Sequence, residues 1–269
     1  WPDNTQQMTV VIDGASLSER DAKFRTSWLT FSTPVAPGST VSGVIELTRE
    51  SKGLRETGFD STVVENGTFI NNMELLPQFG YNAGFELQER HERSKRGLEP
   101  VQRAHKLEDS SRYTESGFGR AEDFIEFSAT VSTASDQTAL APGYLKKQWL
   151  QDGRQYFRYE MNAPMFNFYS FLSARLAVKK QDYQGVSLEV YYHPSHHWNV
   201  DRMMQSMQDS LDYFNKAFSP YQHQQMRIIE FPGYRDFAQS FANTVPYSEG
   251  IGFINDLRNE DSIDMPYYV

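Results

Sequence analysis

Two runs of alternating residues joined by a tight turn constrain this chain most. Residues 144–150 and 154–161 flank Gln151-Asp152-Gly153. An Asp-Gly step accepts the positive φ values that a short hairpin turn requires, so the segment predicts a β-hairpin. Other runs carry the same β-branched and aromatic signature. They are residues 24–31 and 40–48, either side of Pro34-Val35-Ala36-Pro37-Gly38-Ser39, and residues 62–65 and 67–71, either side of Asn66-Gly67. Asn66-Gly67-Thr68 is formally a glycosylation sequon, but the turn is the better reading. Strands are expected again over residues 124–131, 168–178 and 186–192.

Helical signals are few. Residues 85–97 are rich in charged helix formers and end at Gly97, with Glu86/Arg90 and Glu92/Arg96 spaced four apart, which predicts a solvated helix. An irregular, exposed connection should follow over residues 99–120. The pattern changes at Pro194. Met203, Met207, Leu211, Phe214 and Phe218 recur at spacings of three and four, the stripe of an amphipathic helix over residues 201–218, with Asn199 or Asp201 as its cap. A short strand over residues 226–231 is ended by Pro232. These signals predict an α+β chain that is mainly β. Residues 1–192 would form a β-rich domain, and residues 193–269 the incomplete start of a mixed one, with about half the usual domain size.

Composition narrows the function classes. The 26 basic and 35 acidic residues leave a formal net charge of −9, which argues against nucleic acid or an anionic membrane surface as a partner. Spanning a bilayer takes about 20 apolar residues, and the best run, residues 165–178, is interrupted by Asn167, Ser173 and Arg175. A soluble chain that does not insert in membrane is expected. With no cysteine, disulfides, thiol catalysis and cysteine metal sites are excluded. Trp1-Pro2-Asp3-Asn4 at one end and Pro266-Tyr267-Tyr268-Val269 at the other read as mid-protein sequence, so a piece of a longer protein is expected.

Two histidine features invite a metal. His193-Pro194-Ser195-His196-His197 has three imidazoles within five residues, but neither a strand nor a helix would aim all three at one point. A polar interdomain turn is the expected role. His91-Glu92 begins a His-Glu-x-x-His pattern, in which both imidazoles would share a helix face, yet Lys95 occupies the second histidine position. No Gly-x-Ser-x-Gly elbow or phosphate-binding glycine loop is present. No catalytic residue and no metal ligand is expected within these 269 residues.

Residues 189–253 carry a family resemblance. They combine a strand entering the 201–218 helix, Pro220-Tyr221 after it, the strand Arg227-Ile228-Ile229-Glu230-Phe231-Pro232, and Pro246-Tyr247-Ser248-Glu249-Gly250-Ile251-Gly252-Phe253. This is similar to the start of the catalytic domain in the membrane alanyl aminopeptidase family of gluzincin zinc peptidases. The likeness is to the bacterial branch whose domain follows a multi-pass, permease-like membrane region. Thr138-Ala139-Leu140-Ala141-Pro142-Gly143 and residues 166–174 resemble the family's N-terminal β-domain. The resemblance implies a β-sandwich or saddle-like domain followed by the truncated start of a thermolysin-like α/β domain.

It also implies site residues. Pro246-Tyr247-Ser248-Glu249-Gly250 falls on the family's Gly-x-Met-Glu-Asn segment, which places Glu249 on the glutamate that binds a substrate's α-amine. Tyr247 and Ser248 fall on the backbone that pairs with the peptide. Pro246 and Gly250 depart from that pattern. Asn71-Asn72-Met73-Glu74 falls on a Thr-Gln-Cys-Glu-like tetrad and matches only in its last residue, which would make Glu74 a second amine ligand. The family's zinc motif would follow beyond Val269. The resemblance therefore implies zinc and peptide substrates for a longer, membrane-associated bacterial protein, and an inactive piece without metal here. The competing expectation is a non-catalytic peptide-binding or protein-interaction module on the same fold.

Overall fold

The computed structural model describes residues 5–51, 62–65, 67–80, 86–101, 105–106, 108–112, 124–232 and 236–257. Asn66, Phe85, most of residues 99–120 and both chain ends, on which several expectations fell, lie outside them. The described part is mainly β, in several sheets. β1 (Thr5–Ile12) pairs antiparallel with β4 (Gly43–Arg49), and β2 (Ala15–Asp21) with β3 (Thr26–Phe31). Of these, β1 and β2 had no clear sequence signal.

The predicted hairpin forms as β10 (Tyr144–Gln151) and β11 (Arg154–Glu160), with Asp152 and Gly153 both at positive φ, the signature of a type I′ turn. β8 (Ser128–Ala134) extends that sheet beside β11. The single strand expected over 124–131 is two strands. β7 (Phe124–Ile125) turns away to pair with β12 (Met165–Phe166), and at the break the Met161 N–H donates to the Phe127 carbonyl at 3.0 Å. A four-stranded sheet runs in the order β5 (Val63–Val64), β6 (Gly67–Asn71), β13 (Ser170–Ala174), β9 (Thr138–Leu140). The short helix α1 (Asn72–Leu75) follows β6 and is capped by the Asn71 side chain.

The second four-stranded sheet is mixed: β14 (Ala177–Tyr183), β15 (Val186–Tyr192), β16 (Gln225–Phe231) and β17 (Thr244–Ser248). β14 and β15 form a hairpin through Gln184-Gly185, while β15, β16 and β17 are parallel neighbours. The expected 168–178 strand therefore divides into β13 and β14. β14 was hard to see because Lys179-Lys180-Gln181-Asp182 face solvent on an edge strand. Strands on both sides of position 193 belong to this sheet.

Its two faces bury different partners. Tyr191, Ile229 and Phe231 pack against Phe69, Leu140, Phe157, Tyr159 and Leu172 of the other sheets. Leu188 and Val190 instead pack against the helix α3 (Val200–Ala217) through Met203, Met204, Met207 and Leu211. Alternation along each strand makes this possible, since successive side chains point to opposite faces. Arg227, fully buried, stitches the sheets together: its Nη2 donates to the Ala141 carbonyl and to Thr244 Oγ1, both at 2.8 Å.

The helices correct the sequence reading in three respects. Helix α2 (Arg90–Lys95) is one short piece of the expected 85–97 helix; Glu92 pairs with Arg96 as expected, but Glu86 pairs with Arg93 and not Arg90. The stripe on α3 stops at Leu211: Phe214 and Phe218 are 54% and 72% exposed, because the helix runs past the end of the sheet it covers. Asn199 stands at the N-cap position of α3 without a capping side-chain bond. Its amide is used elsewhere, as described next.

Candidate functional site

Three parallel strands end at the same rim of the mixed sheet, and the segments that leave them converge there. In open sheets with helical crossovers, the carboxyl ends of such strands form the crevice where ligands bind. β15 ends at Tyr192 and leads into the histidine-rich loop before α3. β16 carries Glu230 at its penultimate position, on the face opposite Ile229 and Phe231. β17 leads directly into a π-helical turn, Glu249–Phe253, whose first residue is Glu249. The pairing of Phe231 with Ser248 sets the two glutamates side by side at the strand ends.

Ligand atoms of His196, Glu230 and Glu249 lie within 4.8 Å of one another. Glu230 is buried, at 4% exposure, and both of its oxygens are used. Oε2 accepts from the His193 backbone N–H at 2.5 Å, and Oε1 bonds to His196 Nδ1. The loop holding the imidazole is itself braced, with the His196 N–H on the His193 carbonyl at 2.7 Å. Asn199 ties this loop to the other side of the site: its Nδ2 donates to the Gly252 and Asn255 carbonyls at 2.6 and 3.0 Å. The turn that carries Glu249 is thereby fixed to the start of α3.

Burial raises the Glu230 pKa above the ordinary carboxylate value, and the neighbouring Glu249 charge adds to this. Hydrogen bonds from His196 and the His193 N–H work in the opposite direction. Two carboxylates at the 4.8 Å limit repel by roughly 3 kcal/mol at an effective dielectric of 20, before solvent screening. A positive group placed between them removes that cost, so the arrangement suits a cation.

The predicted site residues separate here. Glu249 is in the cluster. Tyr247, next to it, opposes Glu230 in the β16–β17 ladder and packs its ring against Phe253 at a centroid distance of 6.2 Å. Ser248 is fully buried, and its N–H donates to the Phe237 carbonyl at 3.1 Å. Residues 237–241 cover the outer side of β17 in the same way elsewhere. The Gln239 N–H meets the Pro246 carbonyl, and the Phe241 N–H meets the Thr244 carbonyl. The backbone groups that would pair with a peptide are thus engaged within the chain. Glu74 lies on α1, where its N–H is capped by Asn71 and its carbonyl accepts from Arg49, and it is not one of the three clustered residues.

The histidine run does aim one ring at a common point. That convergence escaped the sequence reading because its partners, Glu230 and Glu249, arrive from strands 34 and 53 positions further on. One signal was available: Glu230 interrupts the apolar strand Ile228-Ile229-Glu230-Phe231 at a buried position, where a charge needs a partner. The His91-Glu92 pair is followed by Lys95, whose ammonium pairs with Glu92 at 2.9 Å, so this helix offers no second imidazole.

No family model matches the chain, and no curated protein does. Solved structures with partial likeness include zinc metallopeptidases. The M1 zinc metallopeptidase from Deinococcus radiodurans superposes with a TM-score of 0.43 at 15% identity, covering 47% of this chain and 30% of that one. A two-domain M1 zinc metallopeptidase variant bound to L-arginine gives a TM-score of 0.43 at 15% identity, covering 48% and 31%. The chain thus spans about a third of the length of these structures.

Proposed function

We propose that this chain is part of a zinc aminopeptidase and that Glu249 receives the free α-amine of a peptide substrate. The β-rich unit up to residue 192 and the opening of a thermolysin-like unit after it would together form one wall of the substrate site. The observation that carries the reading is the position of Glu249: partly exposed, at the carboxyl ends of three parallel strands, and beside a second, buried carboxylate. A carboxylate in such a recess makes charge-assisted hydrogen bonds to an ammonium group and none to an acylated nitrogen, so it selects the end of the peptide that enters. Glu230 deepens the negative potential without competing for space at the surface.

Zinc, held by residues outside this chain, would supply the Lewis acid for amide hydrolysis. The described residues do the binding and orienting. Pairing of a peptide with the outer side of β17 through Tyr247 and Ser248 would require residues 237–241 to move aside, since these already occupy it. This piece by itself should show no peptidase activity above background. The parent would be a bacterial membrane-associated protein anchored through another region, with peptides as its substrates; no described helix here is long and apolar enough to cross a membrane.

The test uses the longer polypeptide that contains this chain. Aminopeptidase activity on free peptides should be clear, and on N-acetylated ones absent. Glu249→Ala should lower kcat/KM by roughly 10- to 100-fold, the weight of a hydrogen bond to a charged group. An unchanged rate would remove Glu249 from substrate binding.

A further inference from the structure

We infer that Asn199 is the positioning residue of the amine recess: it touches no substrate, and it fixes the turn on which Glu249 stands. The inference rests on the reading of Glu249 as the receiver of a free α-amine. That turn has little stiffness of its own, because Gly250 and Gly252 are two of its five residues. It closes through a bond from the Ile254 N–H to the Glu249 carbonyl at 3.1 Å. The carbonyls that this leaves need donors, as at any helix end. The Asn255 side-chain amide serves Ile251. Asn199 Nδ2 serves Gly252 and Asn255 together, at 2.6 and 3.0 Å, from 53 and 56 positions earlier in the chain.

Asn199 gives up a local role to do this. At the N-cap of a helix, an asparagine side chain ordinarily accepts from the first N–H groups of its own helix and stabilises it. Here it stands at the N-cap position of α3 with no such bond, and at φ −100° and ψ 0° it lacks the extended backbone of an ordinary cap. It is 5% exposed, so a peptide in the recess does not reach it. One helical turn further on, the Met203 N–H donates to the Asn199 carbonyl at 2.9 Å, and the Met203 methyl is one of the groups against which Gly252 is pressed. Helix α3 therefore holds the turn at two points, one hydrogen-bonded and one packed. Rigid placement matters because a misplacement of about 1 Å can cost on the order of 100-fold in rate. Since the peptide's amino end stops at Glu249, the position of the turn also sets which bond of the peptide is presented for cleavage.

The test is binding of leucine amide to the full 269-residue chain by calorimetry, with N-acetyl-leucine amide as the blocked control. Serine is itself a favoured cap, so Asn199→Ser keeps a cap for α3 and loses only the bridge. It should weaken leucine amide by about tenfold or more, the weight of one to two hydrogen bonds. Asn199→Asp, a good cap of the same shape with no donor, should do so too. Val200→Ala is the structural control, since Val200 is buried beside Asn199 in the core under α3 and makes no bridge. Its urea midpoint should fall while its affinity for leucine amide stays that of the unaltered chain. In the unaltered chain, the Asn199 side-chain amide protons should exchange slowly with solvent, a readout that does not depend on any variant folding. Rapid exchange would overturn the inference. So would a folded Asn199→Ser chain that binds leucine amide as tightly as the unaltered one, which would leave the amine reading intact. Equal losses of affinity in Asn199→Ser and Val200→Ala would overturn it as well, because Asn199 would then act as one core residue among others. An unaltered chain that fails to bind leucine amide would sink the amine reading itself, and this inference with it.

Discussion

The backbone N–H of His193 donates to Glu230 Oε2 across 37 positions of sequence, at 2.5 Å. This bond and the one to His196 make Glu230 a structural anchor as well as a charge. Replacing it by alanine leaves the His193 N–H without its acceptor and frees the loop before α3. Glu230→Ala should therefore lose about 2–3 kcal/mol of stability in urea unfolding, and Glu230→Gln less, since the amide can still accept from the His193 N–H. Equal loss in both variants would mean that the charge, and not the acceptor, holds the loop.

Gly252 sits where a side chain has no room. A Cβ there would lie 2.5 Å from the Tyr247 ring and 2.9 Å from the Met203 methyl. Gly252→Ala should cost about 1–3 kcal/mol and shift the turn that carries Glu249. The check is thermal unfolding together with binding of a free amino-acid amide to the chain, and both should fall. Unaltered amide binding would separate the turn from the site.

Burial, not periodicity, decides what the residues of α3 contribute. Met207→Ala should cost about 3 kcal/mol, as expected for a side chain enclosed by the mixed sheet. Phe218→Ser, on the same stripe but exposed, should change stability by no more than about 0.5 kcal/mol. Denaturant midpoints of the two variants provide the comparison. A large loss at Phe218 would show that the end of the helix is covered in solution.

Alkaline pH should unfold the chain through its buried tyrosines. Burial lifts the Tyr159 pKa from 10.0 to about 12, and it raises Tyr191 and Tyr221 as well. The unfolded chain then loses these protons first. The tyrosine contribution is complete below pH 10 and declines as pH rises through 12, by up to about 3 kcal/mol for Tyr159. Tyr159→Phe should be weaker at neutral pH by about 1 kcal/mol, through loss of its bond to the Ala139 carbonyl, and should show a flatter alkaline profile. Urea titrations across this range test both slopes.

Local signals made the Asp152-Gly153 hairpin, the α3 stripe as far as Leu211 and the strand ending at Pro232 legible in the sequence, because each depends on neighbours a few positions away. β14 was hidden by its solvent-facing lysines, and the break at Glu126–Phe127 by an alternation that continues through it. Glu249 was singled out through resemblance alone. Its partners His196 and Glu230 were not, since nothing local reveals that β15, β16 and β17 end at one rim. The exposed Phe214 and Phe218 show the same limit: periodicity gives a face but not where its cover stops.

The most direct measurement is a nuclear magnetic resonance titration of the metal-free chain with an amino-acid amide and with its N-acetylated counterpart. The free amine should shift the His196 and Gly250 amide resonances, the acetylated ligand should not, and Glu249→Gln should abolish the response. Identical responses to both ligands, or binding undiminished in Glu249→Gln, would contradict an amine-receiving recess at the ends of these strands.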